Sequence, residues 1–317
     1  DFPYISFDEN FIEKLKFKDA DEKAFIMQRN FTHAMMDYLT NLKNNSYLDD
    51  YVCFSGGVFL NVLTNSEIKK SGLFKQIHIP PFTSDTGLHF GAACYEAFKN
   101  KEYINLPNNI SLLGKEYTQK EIEKSLKTHK VDYIKYNNFN ELCSDVATFL
   151  NQNKIIAWFQ GRSEFGPRAL GSRSILMHPG PPENKDILNS RVKHREYWRP
   201  FAGIILEDKL NEYFYEDFCS PYMLYSLNVR KEKINEIRSI THEDNTCRIQ
   251  TTNRHLNKKI TLLIENFEKI SKIPVILNTS FNDNSEPIVE SPDDAIKSFN
   301  KMDIDYLAIG NFLVKKY

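Results

Sequence analysis

Apolar and polar positions along the chain follow helical and strand periods in turn. Ala24, Met27, Phe31, Met35, Tyr38 and Leu42 recur every three or four residues, which predicts an amphipathic helix over 20–43 capped by Asp19 or Asp21. "YVCFSGGVFLN" then reads as an apolar strand, a glycine turn and a helix start. "KQIHIPPFTSDTGLHFGAACYEAF" repeats that grammar with a Ser-Asp-Thr-Gly turn. Further on, Leu142, Val146 and Leu150 mark a helix leading into the buried strand "KIIAWFQ". "RPFAGIIL" and "IPVILNTSF" read as strands on either side of a helix over 256–272. Ser291, Pro292 and Asp294 open another helix, and "DYLAIGNFLV" reads as a last strand. Strands alternating with helices predict an α/β layer structure. The polar, lysine-rich stretch 98–137 predicts a linker, with one short helix opened by a Thr118–Glu121 capping box.

Length adds that 317 residues have room for two domains. No apolar run reaches membrane-spanning length, and the leading "DFPYISFDEN" is unlike a signal peptide. A formal net charge of −1 speaks against nucleic acid or membrane as partner, so any anion site must be local. Cys53, Cys94, Cys143, Cys219 and Cys247 are odd in number and widely spaced, which fits a reducing cytoplasm rather than a disulfide framework. The chain opens on Asp1, and the expectation is that it is a piece of something longer.

Charge changes the picture at one place. Between residues 161 and 200 six arginines and two lysines face four acids. "QGRSEFGPRALGSRSI" carries Arg162, Arg168 and Arg173 where an ordinary strand-to-helix connection would be expected. "NSRVKHREYWRPF" adds Arg191, Lys193, Arg195 and Arg199. Guanidinium forks suit phosphate and carboxylate oxygens, and Gly161, Gly166 and Gly171 let backbone N–H groups approach a ligand. A charged run is ordinarily a solvated face. Here Trp158, Phe159, Phe165, Leu170, Trp198 and Phe201 are interleaved with it, and buried arginines need anionic partners. The stretch therefore predicts a polyanion site.

Weaker signals surround it. Gly56 and Gly57 could present a helix N-terminus to phosphate. Asp85, on the next such turn, could cap a helix or bind a metal or hydroxyl. "THEDNTCRIQT" groups His242, Asp244, Arg248 and Gln250, while Asn278, Thr279, Ser280 and Asn282 follow a buried strand, where α/β proteins build their sites. The eight histidines form no HxxxH or HExxH pair.

Taken in order, "GGVFLN", "SDTGLHFGAA", "FQGRSEFGPRALGSRSIL", "NSRVKHREYWRPF", "SPYM", "THEDNTCRIQT" and "NTSFNDNSEPIV" resemble the NodU/CmcH-type O-carbamoyltransferases. The resemblance implies half of an actin-like (ASKHA) domain over 1–110, a linker over 111–137, and a YrdC-like domain with a mixed twisted sheet over 138–317. It implies that carbamoyl phosphate and ATP, with Mg2+, give carbamoyl-adenylate, from which the carbamoyl group passes to a hydroxyl of a sugar or natural product. Lys193, Arg195 and Arg168 would be the catalytic cations. Arg162, Arg173, Arg199, Ser174, His242, Arg248, Asn278, Thr279, Ser280 and Asn282 would line the substrate and nucleotide site, with Gly56, Gly57 and Asn61 facing the nucleotide. Asp85 matches the family's aspartate metal ligand, for Fe2+ or another divalent ion, without its histidine pair. Asn284 and Ser285 depart from the family's basic-Gly pair. Two other readings are a threonylcarbamoyl-adenylate synthase-like protein of tRNA modification, and a C-terminal subunit that needs a partner half.

Overall fold

The computed structural model describes residues 19–284 and 286–316. The leading "DFPYISFDEN" segment and Ser285 lie outside the described residues. The first long helix, α1 (Ala20–Asn44), begins where Asp19 accepts the Glu22 N–H at 2.8 Å, and it buries Thr32, Met35 and Leu39. Strand β1 (Tyr51–Cys53), helix α2 (Val62–Lys70) and strand β2 (Gln76–His78) follow, and β1 pairs in parallel with β2 through Val52↔Ile77. Helix α3 (Leu88–Lys99) is mainly apolar yet buries none of its residues; Leu88, Tyr95 and Phe98 are exposed.

The remainder builds on one mixed sheet. Its elements are α4 (Gln119–Thr128), β3 (Ile134–Lys135), α5 (Phe139–Asn151), β4 (Ile156–Phe159), β5 (Arg173–Met177) and α6 (Glu183–Ile187), which runs on into a π-helical turn, Leu188–Val192. Then come β6 (Ala202–Leu206), α7 (Leu210–Tyr213), β7 (Ser226–Asn228), β8 (Thr246–Thr252), α8 (Arg254–Ser271), β9 (Val275–Ser280), α9 (Pro292–Lys301), β10 (Tyr306–Ile309) and β11 (Phe312–Lys315). Nine strands lie in the order β3-β11-β10-β4-β5-β9-β6-β8-β7. Only β10/β4 and β6/β8 are parallel pairs; the others are antiparallel. This is the mixed α/β architecture that the alternating pattern implied.

Alternation of side chains across the strands divides the core in two. Ile156, Trp158, Leu176, Ile204 and Ile276 meet Leu142, Val146 and Leu150 of α5 and Ile260, Ile264 and Phe267 of α8. On the other face Ile175, Met177, Ile205 and Leu277 belong to a cluster reaching Ile122, Leu126 and Phe299, and onward to Met35, Leu39, Phe54, Ile68 and Phe74. Polar contacts reinforce that junction. Asn65 donates to the Leu224 carbonyl at 3.1 Å, Ser226 N–H donates to Ser66 Oγ at 2.8 Å, and Lys70 pairs with Glu216 at 2.8 Å.

Three expectations are corrected. "DYLAIGNFLV" is a hairpin of β10 and β11, turning at Gly310 with φ +55°, not one strand. "GSRSIL", read as loop, contains the central strand β5, all of whose residues are buried. Residues 111–137 do not hang free as a linker. Helix α4 carries the expected capping box and buries Ile122 and Leu126, one helical turn apart, against the main core, while β3 pairs with β11. Leu126→Ala should therefore cost about 2–5 kcal/mol in denaturant unfolding, as for any wholly buried leucine. A change near zero would return α4 to linker status.

Candidate functional site

Strand β4 ends at Phe159 and its antiparallel neighbour β5 begins at Arg173, so the arginine-rich loop is an excursion between adjacent strands. Its shape is set from within by one acid. Glu164 Oε1 accepts the N–H groups of Leu170 (2.6 Å), Ser172 (2.8 Å) and Arg173 (3.3 Å), so the loop closes around its carboxylate. Burial raises the pKa of Glu164, and those N–H groups and Arg173 act to lower it. Side chains from the sheet pin the loop from outside. Asn278 donates to Ala169 O (2.8 Å), Gln250 to Leu170 O (3.0 Å) and Trp158 Nε1 to Gly171 O (3.1 Å).

The same loop touches the β1–α3 region. Phe165 packs on Phe82 with ring centroids 4.8 Å apart and meets His89 edge-on at 5.1 Å. Gly166, at φ +127°, passes so close to Pro81 that a Cβ there would lie 2.5 Å from its carbonyl oxygen. Gly87, in the turn opened by Asp85, presses as tightly on Phe82, where a Cβ would lie 2.6 Å from the carbonyl oxygen.

Of the expected cations, the fold gathers Arg168, Lys193, Arg195 and Arg248, with His242 beside Arg248. Lys193 leaves the π-helical turn buried and donates to Asn282 O (2.6 Å), Ser280 O (3.0 Å), Asn282 Oδ1 (3.0 Å) and Ser280 Oγ (3.4 Å). Burial, then Arg195, pushes the Lys193 ammonium down to about 7, and Asp283 opposes that shift. Arg195 donates to Asn189 Oδ1 (2.7 Å) and lies over the Phe201 ring. The side chains of Arg168 and Arg248 have no ion pair or hydrogen bond to any described residue, and the Nε of each is buried without an acceptor. Burial, then Arg168, makes the charged form of Arg248 less favourable than usual. The His242 pKa is lowered chiefly by burial; its Nδ1 faces Thr246 Oγ1 at 3.2 Å and its Nε2 is unpartnered. Cations drawn together half out of water, two of them without counter-charge, have the chemistry that suits a polyanion.

Other expected residues are placed elsewhere. Arg173 opens β5 wholly buried, stacked on Phe159 at 3.6 Å, with its guanidinium donating to the carbonyls of Gln160, Gly161, Ser172 and Lys115. A central strand gives it no route to a ligand, so the expected phosphate contact is corrected to a structural one. Ser174, also buried in β5, accepts the Gly171 N–H. Arg162 is exposed and holds Gly114 O, while exposed Arg199 pairs with Glu196. Thr279 alternates with Asn278 and Ser280 and points to the opposite side of β9. Asn61, expected to face nucleotide, caps α2 and bonds Gln28 instead. Gly56 turns at φ +103° with open space around its Cα, and Gly57 begins the 3₁₀ turn after it. Asp85 is exposed, with Ser84 as the residue that caps its turn. Among the described residues no three His, Cys, Asp or Glu side chains converge, so this donor set does not fit a metal centre. No described helix is long and apolar enough to cross a membrane. Glu164 and Gln250 acquire roles that the sequence did not assign; an acid inside a glycine-rich cationic loop is the one signal that pointed to the first.

Residues 147–316 match the family described as carbamoyltransferase C-terminus, and residues 7–94 match carbamoyltransferase N-terminus. The chain belongs to the carbamoyltransferase family. Nodulation protein NolO of Bradyrhizobium diazoefficiens is 40% identical over 273 residues, covering 84% of this chain and 49% of that protein. Nodulation protein U of Sinorhizobium fredii is 36% identical over 231 residues, covering 73% and 39%. An uncharacterised Methanocaldococcus jannaschii protein is 36% identical over 309 residues, covering 96% and 58%. The chain thus spans about half the length of the curated relatives it matches. A crystal structure of full-length HypF in its phosphate- and nucleotide-bound form is similar at a TM-score of 0.40 and 20% identity, over 56% of this chain and 22% of that one. The arginine loop and the strands that pin it all fall within the C-terminal carbamoyltransferase match.

Protonated Lys193 attracts an anion and neutral Lys193 does not. With its pKa near 7, anion affinity should be level below about pH 7 and fall as pH rises through it. Calorimetry with sulfate, whose charge is constant between about pH 6 and 9, checks this. Lys193→Met should abolish the pH dependence.

Proposed function

We propose that this chain carries the carbamoyl-adenylate-forming site of an ATP-dependent O-carbamoyltransferase. The observation that carries the reading is the half-buried pair Arg168 and Arg248, gathered with buried Lys193 and half-buried Arg195 and without an acid partner of its own. Carbamoyl phosphate and the ATP phosphates together supply the negative oxygens that such a cluster lacks. Hydrolysis of carbamoyl phosphate gives carbamate and phosphate. A carbamate oxygen then attacks the ATP α-phosphorus, and pyrophosphate leaves. Such a step calls for charge neutralisation and in-line placement more than covalent catalysis. Arg168 and Arg248 would hold phosphoryl oxygens, Lys193 and Arg195 the carbamoyl and α-phosphate oxygens, and magnesium would arrive with ATP.

In this reading the carbamoyl group passes next to a hydroxyl of a sugar or natural product, in a domain completed by protein outside this chain. Residues 1–110 then form one half of an actin-like unit and the sheet region its YrdC-like neighbour. Two observations support that division. Helix α3 is apolar yet none of its residues is buried by the described residues, and the chain spans only about half of its relatives.

Carbamoyl-phosphate-dependent exchange of labelled pyrophosphate into ATP tests the proposal. The chain should catalyse exchange, and Lys193→Ala or Arg168→Ala should each reduce it by about a hundredfold or more. Asp85→Ala should leave it unchanged. Exchange indifferent to Lys193 and Arg168 would remove the cation cluster from the reaction.

A further inference from the structure

The Nε groups of Arg168 and Arg248 lack acceptors, yet two side chains on the Arg248 face of the sheet lack the opposite thing. Asn278 on β9 stands across from Ala202 of β6, and Gln250 on β8 stands across from Ile204. Ala202 and Ile204 are two residues apart on one strand, so both amides lie on one face and flank β6. Arg248, two residues before Gln250, shares that face. Small Ala202 leaves room above the strand, and there Ala169 and Leu170 of the Arg168 loop cross over.

Each amide gives its NH2 to one of those consecutive carbonyls, Asn278 to Ala169 O and Gln250 to Leu170 O. That fixes which end of each amide faces which way, because the reverse orientation would set oxygen against oxygen. Asn278 Oδ1 and Gln250 Oε1 are consequently turned away from the loop, buried, and without any donor. Buried acceptors are almost always satisfied in folded proteins, and a pair left open beside unpaired arginines calls for a ligand with donors of its own. Asn65 Oδ1 and Gln160 Oε1 are also unpartnered, but their amide nitrogens bind Phe59 and Leu224, and Ala308 and Gly310, not the loop that bears Arg168.

We infer that Asn278 and Gln250 are specificity residues that read the amino group of the carbamoyl donor through their side-chain oxygens. The inference rests on the proposed carbamoyl phosphate site and adds to it the means of choosing among acyl phosphates. A carbamoyl group presents two N–H donors on a carbon that also bears oxygens for the arginines. Acetyl phosphate has a methyl in the same place and would bury both acceptors against carbon. Inorganic phosphate and pyrophosphate carry the charge without the donors. A site built to pair an N–H group excludes the analogue that lacks it more strongly than an apolar pocket excludes a misfit.

Calorimetric titration of the chain with freshly dissolved carbamoyl phosphate, acetyl phosphate and pyrophosphate tests this. Carbamoyl phosphate should bind about tenfold or more tightly than acetyl phosphate. Gln250→Met and Asn278→Leu should bring the two acyl phosphates to within about threefold of each other. Losing a loop contact alone would weaken both together and leave their ratio intact, so an unchanged ratio in both variants overturns the inference. Equal binding of the two acyl phosphates by the unaltered chain, with pyrophosphate still bound, also overturns it and leaves the anion site standing. Failure of all three ligands to bind removes both readings. Should either variant not fold, the comparison in the unaltered chain decides by itself.

Discussion

Everything in the candidate site depends on holding cations together half out of water while giving Arg168 and Arg248 no acid. Arg168, Arg195, Arg248 and Lys193 repel one another, and a loop free to relax would swing Arg168 into water. Glu164 prevents that from a distance. Its Oε1 accepts three backbone N–H groups of its own loop, so it sets the path of the chain without pairing with Arg168. Asn278, Gln250 and Trp158 hold the loop's outer carbonyls, which leaves the polypeptide satisfied and the guanidinium unsatisfied. The sheet supplies the rigid floor: helices α5 and α8 pack on the neighbouring part of the same face, and the larger apolar cluster seals the far side. Fold stability is thereby kept apart from the electrostatic tension of the site.

Much of this was legible from residue order, and the failures have definite causes. Apolar runs such as "KIIAWF" and "IPVILN" are long enough to declare buried strands by themselves. The strand β5 was hidden because it opens on arginine and serine after a glycine, a sequence that local chemistry assigns to a loop. Only its place between β4 and β9 makes Arg173 an interior residue. Helix α4 itself was legible from its capping box, but its anchoring in the core was hidden for the opposite reason: its lysines and glutamates outnumber Ile122 and Leu126, though two apolar residues a turn apart suffice to anchor it.

The candidate site was legible as chemistry but not as geometry. Surplus arginine in a glycine-rich loop announced an anion. Nothing along the chain announces that Arg168 faces Arg248, eighty positions away, because that meeting follows from the parallel pairing of β6 with β8 and the loop's passage over both. Nor does the sequence distinguish Arg173, turned inward to carbonyls, from Arg168, whose Nε is buried without an acceptor. Arg168 follows Pro167 and Arg173 follows Gly171-Ser172 in one loop-like run, and only the start of β5 at Arg173 separates them.

The close approach at Phe82 has a thermodynamic corollary. Its backbone is pressed by Gly87 from the Asp85 turn, and its ring lies against Phe165 in the loop that ends at Arg168. With backbone atoms this near there is no slack to absorb motion on one side alone, so the turn and the loop shift as one body. Free energy exchanged across such a contact is reciprocal: whatever degree of order an anion at the loop confers on the Asp85 turn, a ligand at that turn returns in equal measure to the anion. One phenylalanine thus makes two neighbourhoods of the protein accountable to each other.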